Sequence, residues 1–130
     1  MSPILQTTAL RACVPLLLGC LAAAPGATGE PLPYSKTSAA QGGELYQRYC
    51  TECHGRDGRA QMDVISDATN LTAPDEYYSG ASREDIYRSI REGAGVAMPA
   101  FGSQLRDETA VWHLVNYIRS LWTPAQREAF

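Results

Sequence analysis

The sequence contains few of the residues on which multi-metal sites, disulfide frameworks and nucleic-acid binding depend. Its 130 residues include two histidines, four cysteines and two phenylalanines, and 14 acidic residues outnumber 11 basic ones to give a net charge of −3. So few histidines and cysteines argue against several metal ions or a dense set of disulfides. The acidic balance, without a basic stripe, argues against nucleic acid as a partner.

Alternating apolar and polar runs, internal repeats and low-complexity tracts are also missing from the chain. The patterns that predict strands are therefore absent, and the length suits a single domain. Hydrophobic residues make up 45% of the sequence, which excludes a fully disordered chain. We predict an all-α domain whose modest apolar core needs additional material to fill it.

The longest apolar run, residues 12–24, is too short for a transmembrane helix, which needs about 20 apolar residues. It follows a single positive charge at Arg11, which is the layout of a secretory signal peptide. Small residues just before Glu30 form a cleavage site. We therefore predict a signal peptide over residues 1–29 and an exported, periplasmic protein.

A second processing site lies inside this leader. Residues 17–20, Leu-Leu-Gly-Cys, resemble the lipobox of bacterial lipoproteins, in which the cysteine becomes the lipidated first residue. In that case the leader ends before Cys20, and Cys20 anchors the protein to a membrane. Without lipidation the exported protein is either released as a soluble protein or held by a retained leader that acts as an anchor.

The rest of the chain predicts helices separated by long loops. We predict a tether over residues 30–37, a folded domain over 38–123 and a C-terminal tail over 124–130. The first helix is expected to begin at Ser38, which starts a capping-box pattern. Residues 55–81 are rich in turn-forming residues and are expected to hold at most one short helical turn.

Two later segments predict the remaining helices, for a total of three to four. Ser82 is expected to cap a helix that ends at Gly93, and Asp107 is expected to cap the last helix. The last helix carries an apolar stripe and should end before Pro124. The stripe consists of Val111, Leu114, Val115, Ile118, Leu121 and Trp122.

The most informative motif is Cys-Thr-Glu-Cys-His at residues 50–54, a C-x-x-C-H sequence typical of c-type haem attachment. At a helix end, cysteines three residues apart project to one side, where Cys50 and Cys53 can form thioethers with the two vinyl groups of one haem. His54 is then placed to ligate the iron. Zinc, a redox dithiol and a structural disulfide are alternatives, but zinc favours four ligands and a disulfide leaves His54 unexplained.

Iron bound by one histidine has a free sixth position, for which Met62, Met98 and His113 are candidates. Met98 lies in a glycine-containing loop that can pass over a flat ring, and Pro99 stiffens the loop directly after it. Met62 would have to turn sharply round the ring edge, and His113 points away from the apolar stripe. We therefore expect Met98 as the second axial ligand, with an open site as an alternative.

These motifs resemble those of class I c-type cytochromes, in particular the small bacterial monohaem cytochromes c. The resemblance covers residues 38–122 and includes Met-Pro-Ala-Phe at 98–101 and Leu-Val-x-Tyr-Ile at 114–118. It implies a cytochrome c fold, with helices and long loops wrapped around one covalent haem c. It also implies a crossing of the first and last helices through Gly42, Tyr46, Leu114 and Tyr117.

The resemblance implies a one-electron carrier rather than an enzyme. Cys50 and Cys53 would hold the haem, and His54 and Met98 would fill both axial positions of a low-spin iron, so that no substrate reaches it. The expected partners are redox proteins such as an oxidase, a dehydrogenase or a reductase, and the acidic chain suits a basic docking face. The alternative is a haem-based catalyst or sensor with an open or displaceable sixth position.

One feature departs from the family pattern. Many members have a proline soon after the haem motif, whose carbonyl accepts the N–H of the axial histidine, but no proline occurs between Gly55 and Ala73. A different carbonyl must orient His54, and the sequence does not identify it. By residue type alone, the candidates for binding the haem propionates are Tyr77, Tyr78, Arg88 and Arg91.

Replacing Cys20 with serine tests the lipobox. If Cys20 is lipidated, we expect the protein to move from the membrane fraction to the soluble fraction, because serine cannot carry the thioether-linked lipid. Cell fractionation with immunodetection measures the distribution, and Cys13→Ser in the same leader is the matched control. An unchanged distribution of the Cys20 variant would show that Cys20 is not lipidated.

Overall fold

A computed structural model describes residues 30–61 and 68–130, which form helices and long loops without a β-strand. The helices are α1 (Lys36–Tyr49), α2 (Thr51–His54), α3 (Arg83–Glu92), α4 (Glu108–Ser120) and α5 (Pro124–Ala129), with a 3₁₀ turn at Pro74–Glu76. The all-α prediction is confirmed, with one helix more than the three to four expected. Within the described ranges, no helix has the length and apolar character to cross a membrane. The predicted signal peptide, Cys20 and Met62 lie outside these ranges.

The predicted boundaries of α3 and α4 are confirmed by their capping contacts. The Ser82 hydroxyl accepts a hydrogen bond from the Asp85 amide at 3.1 Å, and α3 ends before Gly93. The Asp107 carboxylate accepts one from the Thr109 amide at 2.8 Å. These side chains satisfy amides of the first helical turn, which have no partner within the helix.

The first helix begins at Lys36, earlier than predicted, because Ser35 rather than Ser38 is its N-cap. The Ser35 hydroxyl accepts a hydrogen bond from the Ser38 amide at 3.0 Å. The Ser38 side chain is buried and instead contacts α4, where its oxygen lies 2.8 Å from His113 Nδ1 and 2.7 Å from Asn116 Nδ2. A serine with the sequence pattern of a cap thus belongs to a buried polar cluster.

The segment predicted as a tether is hydrogen-bonded to the domain through Leu32 and Pro33. The Leu32 carbonyl accepts hydrogen bonds from the Arg83 guanidinium and from the Asn116 amide group. The same amide group donates to the Pro33 carbonyl at 3.2 Å. The chain therefore enters the domain along α4 before α1 begins.

The residues predicted as a C-terminal tail form α5. Pro124 lies in the first turn, where its missing N–H leaves no hydrogen bond unmade, and Thr123 and Gln126 form a capping box. Arg119 of α4 donates to the Arg127 carbonyl at 2.8 Å, and Arg127 donates back to the Arg119 carbonyl at 3.4 Å. Pro124 therefore starts a helix, in addition to following the end of α4.

α1 and α4 cross in direct backbone contact at Gly42. A Cβ atom at this position would lie 1.9 Å from the His113 carbonyl oxygen and 2.8 Å from Tyr117 Cβ. The rings of Tyr46 and Tyr117 pack beside the crossing with centroids 4.8 Å apart, and Leu114 is buried in the core. The crossing fixes the end of α1, where the C-x-x-C-H motif begins.

Replacing Gly42 with alanine tests this close approach. We expect a loss of about 1–3 kcal/mol in the free energy of unfolding, because the added methyl group meets a carbonyl that cannot rotate away. Gly43→Ala is the matched control, since its Cβ would meet only the Tyr117 ring, at 3.2 Å, while alanine favours the helix equally at both positions. Urea unfolding of both variants measures the difference, and equal midpoints would contradict the account.

Candidate functional site

The C-x-x-C-H motif lies where α1 passes into α2. The Cys50 amide donates to the Tyr46 carbonyl at 2.9 Å, and the His54 amide donates to the Cys50 carbonyl at 2.9 Å. The chain therefore stays helical through the motif. Cys50, Cys53 and His54 all line one cavity.

This cavity has a volume of about 980 Å³, at the upper end of the range for cofactor sites. Its walls come from α1, α2, the loop over residues 68–80, α3, the loop over residues 94–101 and α4. Ile86, Ile90 and Ile118 give it apolar surface against the core. A large, mostly apolar cavity with two cysteines and a histidine on one wall suits a flat, covalently held tetrapyrrole such as haem c.

The His54 ring is oriented by the backbone of Thr69. His54 Nδ1 lies 2.9 Å from the Thr69 carbonyl oxygen, and since a carbonyl only accepts, Nδ1 carries the proton and Nε2 keeps its lone pair. His54 is only 9% exposed, and this burial lowers the pKa of the imidazole. A neutral ring that donates one N–H to a carbonyl is the usual arrangement of a metal-ligating histidine.

Thr69 therefore supplies the carbonyl that, in the family the sequence resembles, often comes from a proline soon after the haem motif. Sequence reasoning predicted that some carbonyl must do this and did not find which one. A backbone carbonyl is present at every residue, so no side-chain signal identifies the one that faces His54. The tertiary fold alone brings the Thr69 carbonyl next to His54.

Cys50 does not have the character of the reactive thiol of a redox dithiol. Cys50 is half-buried, and burial, with a smaller contribution from Cys53, raises the pKa of its thiol to about 12. Dithiols that exchange disulfides usually have a lowered pKa, because the thiolate is the reactive form. Within residues 30–61 and 68–130, no three His, Cys, Asp or Glu side chains converge as ligands of a metal ion, as the zinc alternative requires.

Met98 lines the same cavity as His54, from the loop that follows α3. Its backbone exchanges two hydrogen bonds with Ala94, at 3.2 and 3.3 Å, which close a short turn with Val96 at its tip. At Gly93 the backbone has φ +87°, and a Cβ there would lie 2.8 Å from the Met98 carbonyl oxygen. The Phe101 amide donates to the Ile90 carbonyl at 2.9 Å and joins the loop to the end of α3.

The other ligand candidates take different positions. His113 lies at the α1–α4 contact, hydrogen-bonded to Ser38, and it is not part of the cavity wall. Met62 lies outside the described residues. Of the ligands considered from the sequence, the structure therefore brings His54 and Met98 to one cavity.

The four propionate candidates divide into two groups. Tyr77 and Tyr78 line the cavity, although Tyr78 is 97% exposed. Neither of the two arginines lies on its wall: Arg88 pairs with Asp85, and Arg91 pairs with Glu108 at 2.5 Å. Arg48, two residues before Cys50, also lines the cavity, although nothing in the sequence marks it as a propionate candidate.

A family model described as cytochrome c oxidase, cbb3-type, subunit III matches residues 37–118. The chain belongs to this cytochrome c family. The predicted class I c-type cytochrome relationship is confirmed, and membership implies a haem c and electron transfer. The cbb3-type cytochrome c oxidase subunit FixP of Azorhizobium caulinodans is 32% identical over 89 residues, which cover 68% of this chain and 29% of FixP. This cytochrome c domain thus spans less than a third of that relative.

Solved structures give the same fold. A chain of the reducing HAO-like protein complex of Kuenenia stuttgartiensis matches with a TM-score of 0.65 at 26% identity, over 73% of this chain and 48% of that one. Cytochrome c6 of the diatom Phaeodactylum tricornutum matches with 0.53 at 28% identity, over 70% and 95%. Cytochrome CL of Methylophaga aminisulfidivorans matches with 0.58 at 19% identity, over 74% and 67%, and supports the fold alone. The predicted cytochrome c fold is confirmed.

Proposed function

We propose that the protein is a monohaem one-electron carrier in which Cys50 and Cys53 hold haem c covalently and His54 and Met98 ligate its iron. The main support is the orientation of His54, a buried, neutral imidazole whose Nδ1–H is bound by Thr69. Met98 lines the same cavity from a loop tied to α3. The haem iron supplies the one-electron chemistry, and a thioether ligand raises its potential.

The residues of the chain then have two roles. His54 and Met98 would ligate the iron and leave no position on it for a substrate, which favours transfer over catalysis. The apolar walls of the cavity, with Ile86, Ile90 and Ile118, exclude water from the ring. No acid, base or nucleophile is assigned to the site, so the protein carries electrons for an enzyme instead of acting as one.

The proposed setting is an exported electron-transfer chain that ends in, or feeds, an oxidase. The relative FixP is named as a subunit of a cbb3-type oxidase, which supports an oxidase as a partner among redox proteins. The signal-peptide pattern of residues 1–29 supports a periplasmic location, either soluble or anchored through a lipid on Cys20.

Replacing Met98 with alanine tests the axial pair. We expect the ferric protein to lose the weak far-red band of methionine–iron ligation, to bind carbon monoxide readily when reduced, and to have a lower potential. Visible spectra with and without carbon monoxide measure this, and Met62→Ala is the control. Loss of the band in the Met62 variant alone would reassign the ligand. Ready carbon monoxide binding by the unmodified protein would favour the catalyst or sensor alternative.

The rim of the cavity is the proposed surface for electron exchange. Val96 and Tyr78 line the cavity and are 100% and 97% exposed, and Val96 lies two residues from Met98. A protein that docks on this rim would bring its own redox centre close to the haem edge. Exposed apolar side chains are common on protein surfaces, so exposure alone does not mark a docking site. The support for a docking surface is that Val96 and Tyr78 both lie at the cavity.

A Val96→Asp substitution tests the rim. We expect electron self-exchange between two copies of the holoprotein to slow about tenfold, because docking would bury a carboxylate without a partner at a cost of about 1–3 kcal/mol. Line broadening in NMR spectra of mixed ferric and ferrous protein measures the rate. Ala129→Asp adds the same charge on α5, away from the cavity, as a control. Equal rates for the two variants would place exchange elsewhere.

A further inference from the structure

The Leu71 carbonyl, two residues after the carbonyl that binds His54, accepts hydrogen bonds from two side chains, those of Tyr77 and Trp122. Trp122 Nε1 lies 2.8 Å from the Leu71 carbonyl oxygen, and the Tyr77 hydroxyl lies 2.9 Å from the same atom. The Trp122 indole is 3% exposed, so this contact lies inside the core. Together the two donors use both lone pairs of that oxygen.

Leu71 is rigidly connected to the carbonyl that orients His54. Its amide donates to the Gly58 carbonyl at 2.7 Å, so its N–H and C=O are both fixed. The Asn70 side chain accepts hydrogen bonds from the Thr72 amide at 3.0 Å and the Thr72 hydroxyl at 2.8 Å, a turn that restricts the backbone. The Thr69 carbonyl, two residues before Leu71, therefore has little freedom to move.

We propose that Trp122 and Tyr77 are positioning residues that hold the Thr69 carbonyl against His54 and thereby tune the reduction potential. A histidine whose second N–H is firmly bound is a more basic ligand, and a more basic ligand favours the ferric state. The inference rests on the part of the proposed function that puts His54 on the iron. It assigns to two side chains the rigidity that a proline supplies in many other cytochromes c.

The aromatic packing around Trp122 has to be separated from this effect. Its ring lies edge-on to Tyr77 and Phe130, with centroids 5.9 and 6.2 Å away, and the Arg119 guanidinium lies 4.8 Å from its centre. Removing the indole therefore also changes packing. Tyr77→Phe removes one hydroxyl and keeps the ring, so it removes the hydrogen bond with little change in packing, and the His54 proton exchange then separates this effect from a change in cavity polarity.

The experiment compares Tyr77→Phe, Trp122→Phe and the double variant as holoproteins. Spectroelectrochemistry gives the potential, and NMR of the ferrous protein gives the solvent exchange rate of the His54 Nδ1 proton. In each single variant we expect a smaller but measurable rise in potential and faster proton exchange, because one donor remains on Leu71. In the double variant we expect the ferrous-to-ferric ratio at a fixed ambient potential to rise up to about tenfold, or about 59 mV for one electron, with faster proton exchange.

Two matched controls remove the same chemical groups elsewhere in the core. Tyr87→Phe removes a buried hydroxyl that contacts Arg91 at 3.0 Å, and Trp112→Phe removes an indole on α4. Neither residue lines the cavity. We expect these variants to lower thermal stability while the potential and the His54 proton exchange stay at their original values.

The inference is overturned if Tyr77→Phe and the double variant keep the original potential and proton exchange while their spectra still show the intact axial pair. Equal shifts in the two controls would also overturn it, because they would reflect general loosening of the core. If the double variant does not fold, Tyr77→Phe decides by the same two readouts. A parent protein whose spectrum lacks histidine ligation would instead contradict the proposed function.

Discussion

The crossing of α1 and α4 at Gly42 is the contact on which the rest of the structure depends. It brings two backbones together where any side chain would collide, and each helix delivers one part of the site. α1 ends at the C-x-x-C-H motif, and α4 leads into Trp122, which reaches the loop behind His54. Tyr46, packed at the crossing, donates to the Gly55 carbonyl at 2.6 Å and fixes the turn just after His54.

The two proposed axial ligands are positioned in different ways. His54 belongs to a helix and is oriented from behind by the Thr69 carbonyl. Met98 belongs to a short loop that is closed by its bonds to Ala94 and joined to the end of α3. If both residues bind the iron as proposed, the ligands need to move little when an electron arrives, which suits the electron transfer that family membership implies.

Much of the site could be predicted because its residues have distinctive side chains at short spacing. Cys50, Cys53 and His54 mark one part of the cavity wall, and Met98 with Pro99 marks a loop that lines the same cavity. The Thr69 carbonyl could not be predicted, since a backbone group has no sequence signature.

The errors at the helix ends have a common cause. Ser35 and Ser38 are both typical caps, and only tertiary contacts with Asn116 decide which one caps α1. Pro124 is typical both of the region after a helix end and of a first helical turn; it follows the end of α4, as predicted, and the capping contacts of Thr123 also make it the first residue of α5.

The most direct test of the central claim is an NMR spectrum of the ferrous holoprotein. A methionine that ligates haem iron lies over the ring, so its methyl resonance is shifted far upfield. The account predicts one such methyl, assigned to Met98, together with a slowly exchanging Nδ1 proton on His54. An upfield methyl assigned to a different methionine, or no upfield methyl at all, would contradict it.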